Sequence, residues 1–321
     1  MFETKIDESV QQLAQDVFSG LRSNPKTLSS KYFYDEIGDK IFQEIMDLEE
    51  YYLTRSEYEI FETQKDEILN HISPENQPFN LVEFGAGDGY KTKILLQHFL
   101  QSEANFEYLP IDISENALSG LEMDLIKAFP DLNAAYLQGD YFEVLDEISH
   151  SSVNRNVVLF LGSNIGNFKK QEAINFLKEL RKDLNPGDML LIGIDLKKDP
   201  VKILTAYNDA SGVTARFNLN LLDRINRELG GNFDTTQFRH HAHYDPISGE
   251  CRSSLVSLTK QTVEIADEKF EFDAWEPIHT EVSKKYSLKE IEELATKTGF
   301  NISENLTDQK KLFVDSIWEA V

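Results

Sequence analysis

Asn80-Leu81-Val82-Glu83-Phe84-Gly85-Ala86-Gly87-Asp88-Gly89 is the stretch on which the fold turns. A short, mostly apolar run leads straight into glycines at every second position. The run suits a buried strand, and glycines at its carboxyl end let the backbone turn sharply and approach a ligand closely. The spacing Gly85-x-Gly87-x-Gly89 differs from the G-x-G-x-x-G turn of a dinucleotide site.

Downstream, apolar strands alternate with helical stripes. Lys91–Leu100 carries Ile94, Leu95, Leu96, Phe99 and Leu100 at helical spacing. Phe106–Ile111 reads as a second strand, and Ser114 as the N-cap of a helix running to about Phe129. Ala134–Leu137 and Val157–Leu161 are a third and fourth strand. A helix over Lys170–Leu184 ends at Asn185-Pro186-Gly187, and Met189–Ile194 is a fifth strand. Such alternation, with several strands apolar throughout, predicts a parallel sheet covered on both faces.

Upstream, Val10, Leu13, Val17, Phe18 and Leu21 recur at helical spacing, and further helical pieces surround Ile41–Met46 and Ser56–Ile72. Beyond the fifth strand, Val201–Tyr207 and Asn218–Leu229 look helical. The chain from about Phe238 to Tyr286 then reads as strands, at Ser254–Leu258, Thr262–Ile265, Phe270–Phe272 and Thr280–Tyr286. Ser287-Leu288-Lys289-Glu290 has the form of a capping box opening a helix that closes near Gly299, and Lys311–Trp318 supplies a last strand. The expected fold class is α/β: a doubly wound, Rossmann-like sheet from residues 60–196 and 287–321. A second α+β substrate domain is expected from residues 1–59 and 197–286.

Three loops at strand ends carry the cofactor reading. The G-x-G-x-G turn with the acid Glu83 just before it resembles the first motif of class I methyltransferases, whose cofactor is S-adenosylmethionine. Asp112 closes the second strand, where a carboxylate can accept hydrogen bonds from both ribose hydroxyls. Gly139-Asp140-Tyr141 follows the third strand, where Asp140 can bond an adenine amino group while Tyr141 packs on the ring. A nicotinamide-dependent dehydrogenase would want the other glycine spacing and a hydride-transfer acid or base, and the sequence offers neither plainly.

Composition narrows the partners. The formal net charge of −24 repels phosphate backbones and anionic membranes, so a small-molecule substrate is expected, with no nucleic acid and no membrane. No apolar run is long enough to span a bilayer, the N-terminus lacks a signal-peptide pattern, and the one cysteine, Cys251, fits a reducing compartment. A cytoplasmic monomer is the expectation. His240, His241 and His243 invite a metal, but neither a cysteine cluster nor an H-E-x-x-H accompanies them, so no metal is expected. Cys251 has no paired histidine arguable from spacing and is not read as a nucleophile.

Longer motifs carry a more specific resemblance. Phe33-Tyr34-Asp35, Glu50–Arg55, Glu83–Thr92, Leu161–Phe168, Ala206–Ala210 and Thr280–Lys284 together resemble the histidine-specific S-adenosylmethionine-dependent methyltransferase family, across nearly the whole chain from about residue 28. The resemblance implies trimethylation of the α-amino group of L-histidine to hercynine, a step of ergothioneine biosynthesis. It places cofactor contacts on Gly85, Gly87, Lys91, Asp112, Asp140 and Tyr141. It places the amino acid on Tyr34, Tyr51, Asn167 and Tyr207, with Tyr34 and Asn167 at the reacting amine and Glu281 and Ser283 on the imidazole. Glu281 and Ser283 are two apart on a strand and so share a face. A carboxylate and a hydroxyl there match a ring that needs an acceptor for its N–H.

The sequence departs from the family pattern in three places. Leu53 stands where proline is frequent, Asn208 replaces an aspartate beside Tyr207, and Ser253 stands where a methionine is expected near the imidazole. A fungal member of the family methylates a prenylated tryptophan. Another free amino acid or amine is therefore the alternative substrate, and a non-catalytic module binding cofactor or amino acid is a third reading.

Overall fold

Phe79–Phe84 (β1) is buried along its whole length, as a strand covered on both faces must be. The structure, a computed structural model, describes residues 8–112, 115–151 and 153–321. By its internal contacts the chain divides into two units. One, the sheet unit, comprises Leu53–Lys197 and Lys284–Val321; the other comprises the segments up to Tyr52 and from Lys198 to Ser283.

In the sheet unit, β1 pairs in parallel with Phe106–Asp112 (β2) on one side and Arg155–Phe160 (β4) on the other. Leu137–Gln138 (β3) extends the sheet beyond β2, and Met189–Asp195 (β5) extends it beyond β4. The chain returns through two later strands, Phe300–Thr307 (β11) and Phe313–Ala320 (β12). They pair antiparallel to each other, and β12 pairs antiparallel to β5. The order is β11-β12-β5-β4-β1-β2-β3, so the direction of winding reverses between β1 and β4. In open α/β sheets ligands bind beyond the carboxyl ends of the strands at such a reversal. The glycine turn after β1 and the loop after β4 are therefore the two segments best placed for a ligand.

The packing explains the strand sequences. Val82, Phe84, Val158, Phe160, Leu190, Ile192 and Ile194 belong to one core with Leu177 and Leu180 of helix Lys170–Lys182 and with Ile291 and Leu294 of helix Leu288–Thr298. Each such side chain contributes roughly 1.5–3 kcal/mol on burial, enough to override the low strand propensity of Asn80 and Glu83 within β1. The capping box of Ser287 and Glu290 is formed, and Gly299 ends the helix with φ 89°.

Three elements depart from the sequence reading. Helix Tyr141–Ser151 follows β3 directly, where only a binding loop was expected. β11 was unforeseen because it is a half-exposed edge strand, with Asn301, Ser303, Glu304 and Asn305 diluting its apolar pattern. The third strand is shorter than expected, with Ala134 contributing an isolated bridge to Tyr108. The Ser114 N-cap lies outside the described residues; the helix there spans Glu115–Ala128.

The other unit has its own core. Helices Glu8–Arg22, Glu36–Asp47 and Val213–Leu229 contribute Leu13, Val17, Ile41, Ile45, Phe217, Leu221 and Ile225. Its strands are Phe238–Asp245 (β6), Glu250–Ser257 (β7), Gln261–Ile265 (β8), Glu268–Phe272 (β9) and Pro277–Lys284 (β10), arranged as a β10-β7-β6 sheet and a β8-β9 hairpin. Along β6 burial alternates, so His240 is buried while His241 and His243 face the opposite, exposed side. The three histidines do not converge. Cys251 is buried. Among the described residues no helix is long and apolar enough to cross a membrane.

Candidate active site

At the end of β1 the chain turns with φ values of 66° at Gly85 and 57° at Gly87, which L side chains rarely adopt. Room is also limiting at Gly85, where an added Cβ would stand 2.9 Å from the Tyr141 hydroxyl. Beneath the turn, the buried Glu83 carboxylate accepts hydrogen bonds from Thr92 Oγ1 at 2.6 Å and Tyr108 Oη at 2.5 Å. Burial pushes Glu83 up to about 7, against the opposing pull of those two donors. It thus braces the turn from within the protein, tying β1 to β2 and to helix Thr92–Gln101.

Asp112, Asp140 and Tyr141 gather at the carboxyl ends of β2 and β3. Burial first, and then the charges of Asp112 and Asp140, push the Tyr141 hydroxyl up to about 12. Asp140 is exposed and caps the helix that follows, its Oδ1 accepting from Phe142 N at 2.9 Å. Tyr141 lies flat on Phe84, with ring centroids 4.6 Å apart and planes within 6°. One ring face is therefore covered, and the expected stacking on an adenine would use the other. A tight glycine turn, an acid at the end of β2 and an aromatic face beside them fit a nucleoside carrying a charged tail.

The loop after β4 holds Asn167. Its residues Asn164–Asn167 form a short 3-10 turn entered from Ser163, which has φ 60°. The turn is fixed from below. Ser163 Oγ accepts from Asp195 N at 3.0 Å, and Asp195 forms a fully buried ion pair with Lys285 at 2.8 Å. Asn167 itself is exposed. Lys91, just past the glycine turn, is paired with Glu57.

The remaining sequence-predicted residues cluster in the other unit. Tyr34 packs edge-on to Phe42 at 5.4 Å, Phe42 to Tyr51 at 6.2 Å, and Tyr51 to Tyr207 at 6.4 Å. Tyr207 Oη and Ser283 Oγ are hydrogen-bonded at 2.8 Å. Tyr34 is 46% exposed, so part of its surface is open to a ligand. Desolvation around its hydroxyl, followed by the carboxylates of Glu281 and Asp39, raises its pKa. Tyr34, Tyr51, Tyr207, Glu281 and Ser283, drawn from four separate stretches of chain, thus form one group. Ser253 is buried on β7, the strand next to β10, which carries Glu281 and Ser283.

Sequence reasoning assigned no role to Glu57, Asp209 or Asp315. Glu57 is fully buried on a helix that otherwise reads as amphipathic, two residues beyond the Glu50–Arg55 motif. Asp209 accepts from the Val213 and Thr214 amides at 2.9 and 2.7 Å, capping helix Val213–Leu229. Only a carboxylate inside an apolar pattern could have marked Glu57 and Asp315.

The sheet order, the antiparallel return through β12 and the glycine turn with acids at successive strand ends define a class I S-adenosylmethionine-dependent methyltransferase. The chain belongs to the histidine-specific S-adenosylmethionine-dependent methyltransferase family, whose profile matches residues 13–320. It is 38% identical over 282 residues to the histidine N-alpha-methyltransferase of Mycolicibacterium smegmatis, covering 87% of this chain and 86% of that protein. To the histidine N-alpha-methyltransferase of Mycobacterium tuberculosis it is 36% identical over 276 residues, covering 85% and 84%. Ergothioneine biosynthesis protein 1 of Schizosaccharomyces pombe is 31% identical over 281 residues; the match covers 86% of this chain and 36% of that longer protein.

Proposed function

We propose that the enzyme methylates the α-amino nitrogen of free L-histidine three times, giving hercynine. Similarity to the two mycobacterial histidine N-alpha-methyltransferases along most of both chains carries this reading. The clustering of Tyr34, Tyr51, Tyr207, Glu281 and Ser283 supports it.

S-adenosylmethionine supplies an electrophilic methyl group on a sulfonium. In this reading Gly85, Gly87, Lys91, Asp112, Asp140 and Tyr141 hold it. The histidine nitrogen must offer its lone pair, forming the N–C bond as the C–S bond breaks, so positioning an uncharged amine does most of the work. Asn167 has both a donor and an acceptor for the amino acid's head group. Tyr34, with its pKa raised, keeps its proton and serves as a neutral hydrogen-bond partner rather than a base. Its ring and those of Tyr51 and Tyr207 tolerate the cation that grows with each methylation. The nitrogen sheds a proton between successive transfers and has none left after the third. Glu281 accepts the imidazole N–H in a charge-assisted hydrogen bond, with the hydroxyl of Ser283 beside it.

Mass spectrometry of reactions with S-adenosylmethionine and a panel of free amino acids tests the proposal. Mono-, di- and trimethylhistidine should accumulate in turn. Methylation of another amino acid in preference to histidine refutes the substrate. Cofactor binding without any methylated product refutes catalysis.

A further inference from the structure

The sheet unit buries a second carboxylate behind Glu57. Glu57 Oε1 accepts from the Gly162 amide at 2.8 Å, and its Oε2 is paired with Lys91. One side chain thus ties the end of the glycine turn to the loop after β4. Asp315, on β12, stands opposite Gly193 of β5. A Cβ on Gly193 would run into Glu57 Oε1 and come within 3.2 Å of Asp315 Oδ1. The absent side chain leaves a gap that both carboxyl groups enter. Glu57 and Asp315 are each fully buried, and neither oxygen of an ionised Asp315 accepts a hydrogen bond from any described group.

Two ionised carboxylates offer no donor to each other, and an unpaired buried charge is costly. A proton on Asp315 removes the conflict: the acid donates to Glu57, which stays ionised against Lys91 and Gly162 N. Burial and then the charge of Glu57 hold Asp315 well above the usual carboxylate range, outweighing Lys91. On β1, the buried carboxyl of Glu83 lies close enough to Glu57 and Lys91 to feel both charges. β5 presents Gly193 and, two residues along, Asp195, already paired with Lys285; β11 presents Leu306.

We propose that Asp315 and Glu57 share one proton through neutral pH, and that this acid pair is a positioning device fixing Lys91 and the Gly162 loop for the cofactor. Asp315 touches no ligand and acts only through Glu57. The role of Lys91 rests on the proposed cofactor site, but the protonation does not, so the two can fail separately.

The sign of a pH effect decides it. Below the ordinary aspartate pKa, Asp315→Asn and the parent both carry a neutral side chain. As pH rises, the unfolded parent loses its proton while the folded parent keeps it, so the parent loses stability relative to the variant. The relative folding constant should move in favour of Asp315→Asn by up to about tenfold per pH unit above about pH 4. A native Asp315 that ionises at or below its ordinary pKa would leave the ratio level or give the opposite sign, with the variant losing ground as pH rises, and either result overturns the proposal. A variant that cannot fold overturns it too, because an amide matches a protonated acid in shape and can donate to Glu57.

Asp315→Leu removes the donor. It should weaken S-adenosylhomocysteine binding by about tenfold or more, an effect Asp315→Asn should largely rescue. Equal losses in both variants would contradict the positioning role while leaving the stability result to judge the proton. A parent that does not bind S-adenosylhomocysteine refutes the cofactor site itself and, with it, the positioning role.

Discussion

The two units place their candidate groups by different means. In the sheet unit the backbone does most of the placing, braced by the buried carboxyl groups of Glu83 and Glu57. Asp112 stands at a strand end, Gly85 and Gly87 form a turn set by φ, and Asn167 lies in a loop whose entry is pinned by Asp195 and Ser163. In the other unit side chains place side chains. Tyr34, Phe42, Tyr51 and Tyr207 lean edge-on against one another, and Tyr207 is tied to Ser283. A site made by strand ends depends on few side-chain contacts. A site made by an aromatic chain depends on every link. The first arrangement suits a cofactor common to many enzymes; the second suits a substrate that must be told apart from its relatives.

Asn167 is the exception, the one candidate substrate residue in the sheet unit. Asn167→Ala should lower kcat/KM for histidine by about a hundredfold or more, since a donor and an acceptor are lost together. S-adenosylhomocysteine affinity, measured by calorimetry, should stay close to the parent value. A variant that turns over histidine at the parent rate puts Asn167 outside the site.

Asp112→Ala tests the backbone-placed half. Loss of a charged acceptor for two hydroxyls should weaken S-adenosylhomocysteine about ten- to a hundredfold, equivalent to about 1.5–3 kcal/mol. Unchanged affinity in a folded variant rejects the ribose assignment.

In the other unit, Asp209 makes a charge-dependent contribution to stability. Burial pushes its pKa up, but hydrogen bonds from Ser211, Thr214 and the Val213 and Thr214 amides outweigh it and hold the carboxyl well below its ordinary value. A depressed folded pKa contributes stability that is fully present above the unfolded value. That contribution fades as pH falls toward the folded one. Asp209→Asn should cost about 1–2 kcal/mol at neutral pH, as loss of a helix cap does. The deficit should shrink below about pH 4 in urea titrations. A deficit that does not change with pH would mean the charge is not what caps the helix.

The two kinds of placement also explain what the sequence reveals. β1, β2, β4 and β5 are legible because strands buried on both faces are written as apolar runs, and the glycine turn because its φ values demand glycine. β11 is hidden because an edge strand carries polar residues, and helix Tyr141–Ser151 because its first residues read as a binding loop. Tyr34, Tyr51 and Tyr207 are three tyrosines among 12, and no spacing singles them out; only the surrounding family motifs do. The Glu57–Asp315 pair is legible in neither way. Its members lie more than 250 residues apart, and Gly193, the gap between them, looks like an ordinary interruption of an apolar strand.

Glu281→Ala probes the division of labour most directly, with kcat/KM measured for histidine and for tryptophan in the parent and the variant, and S-adenosylhomocysteine affinity measured alongside. Turnover of histidine should fall about tenfold, from removal of a charge-assisted hydrogen bond. Tryptophan, which has no imidazole to donate to that carboxylate, should lose little or nothing, and cofactor affinity should not move. An unchanged histidine-to-tryptophan ratio, or a cofactor affinity that falls in step with histidine turnover, would mean that Glu281 does not read the substrate side chain.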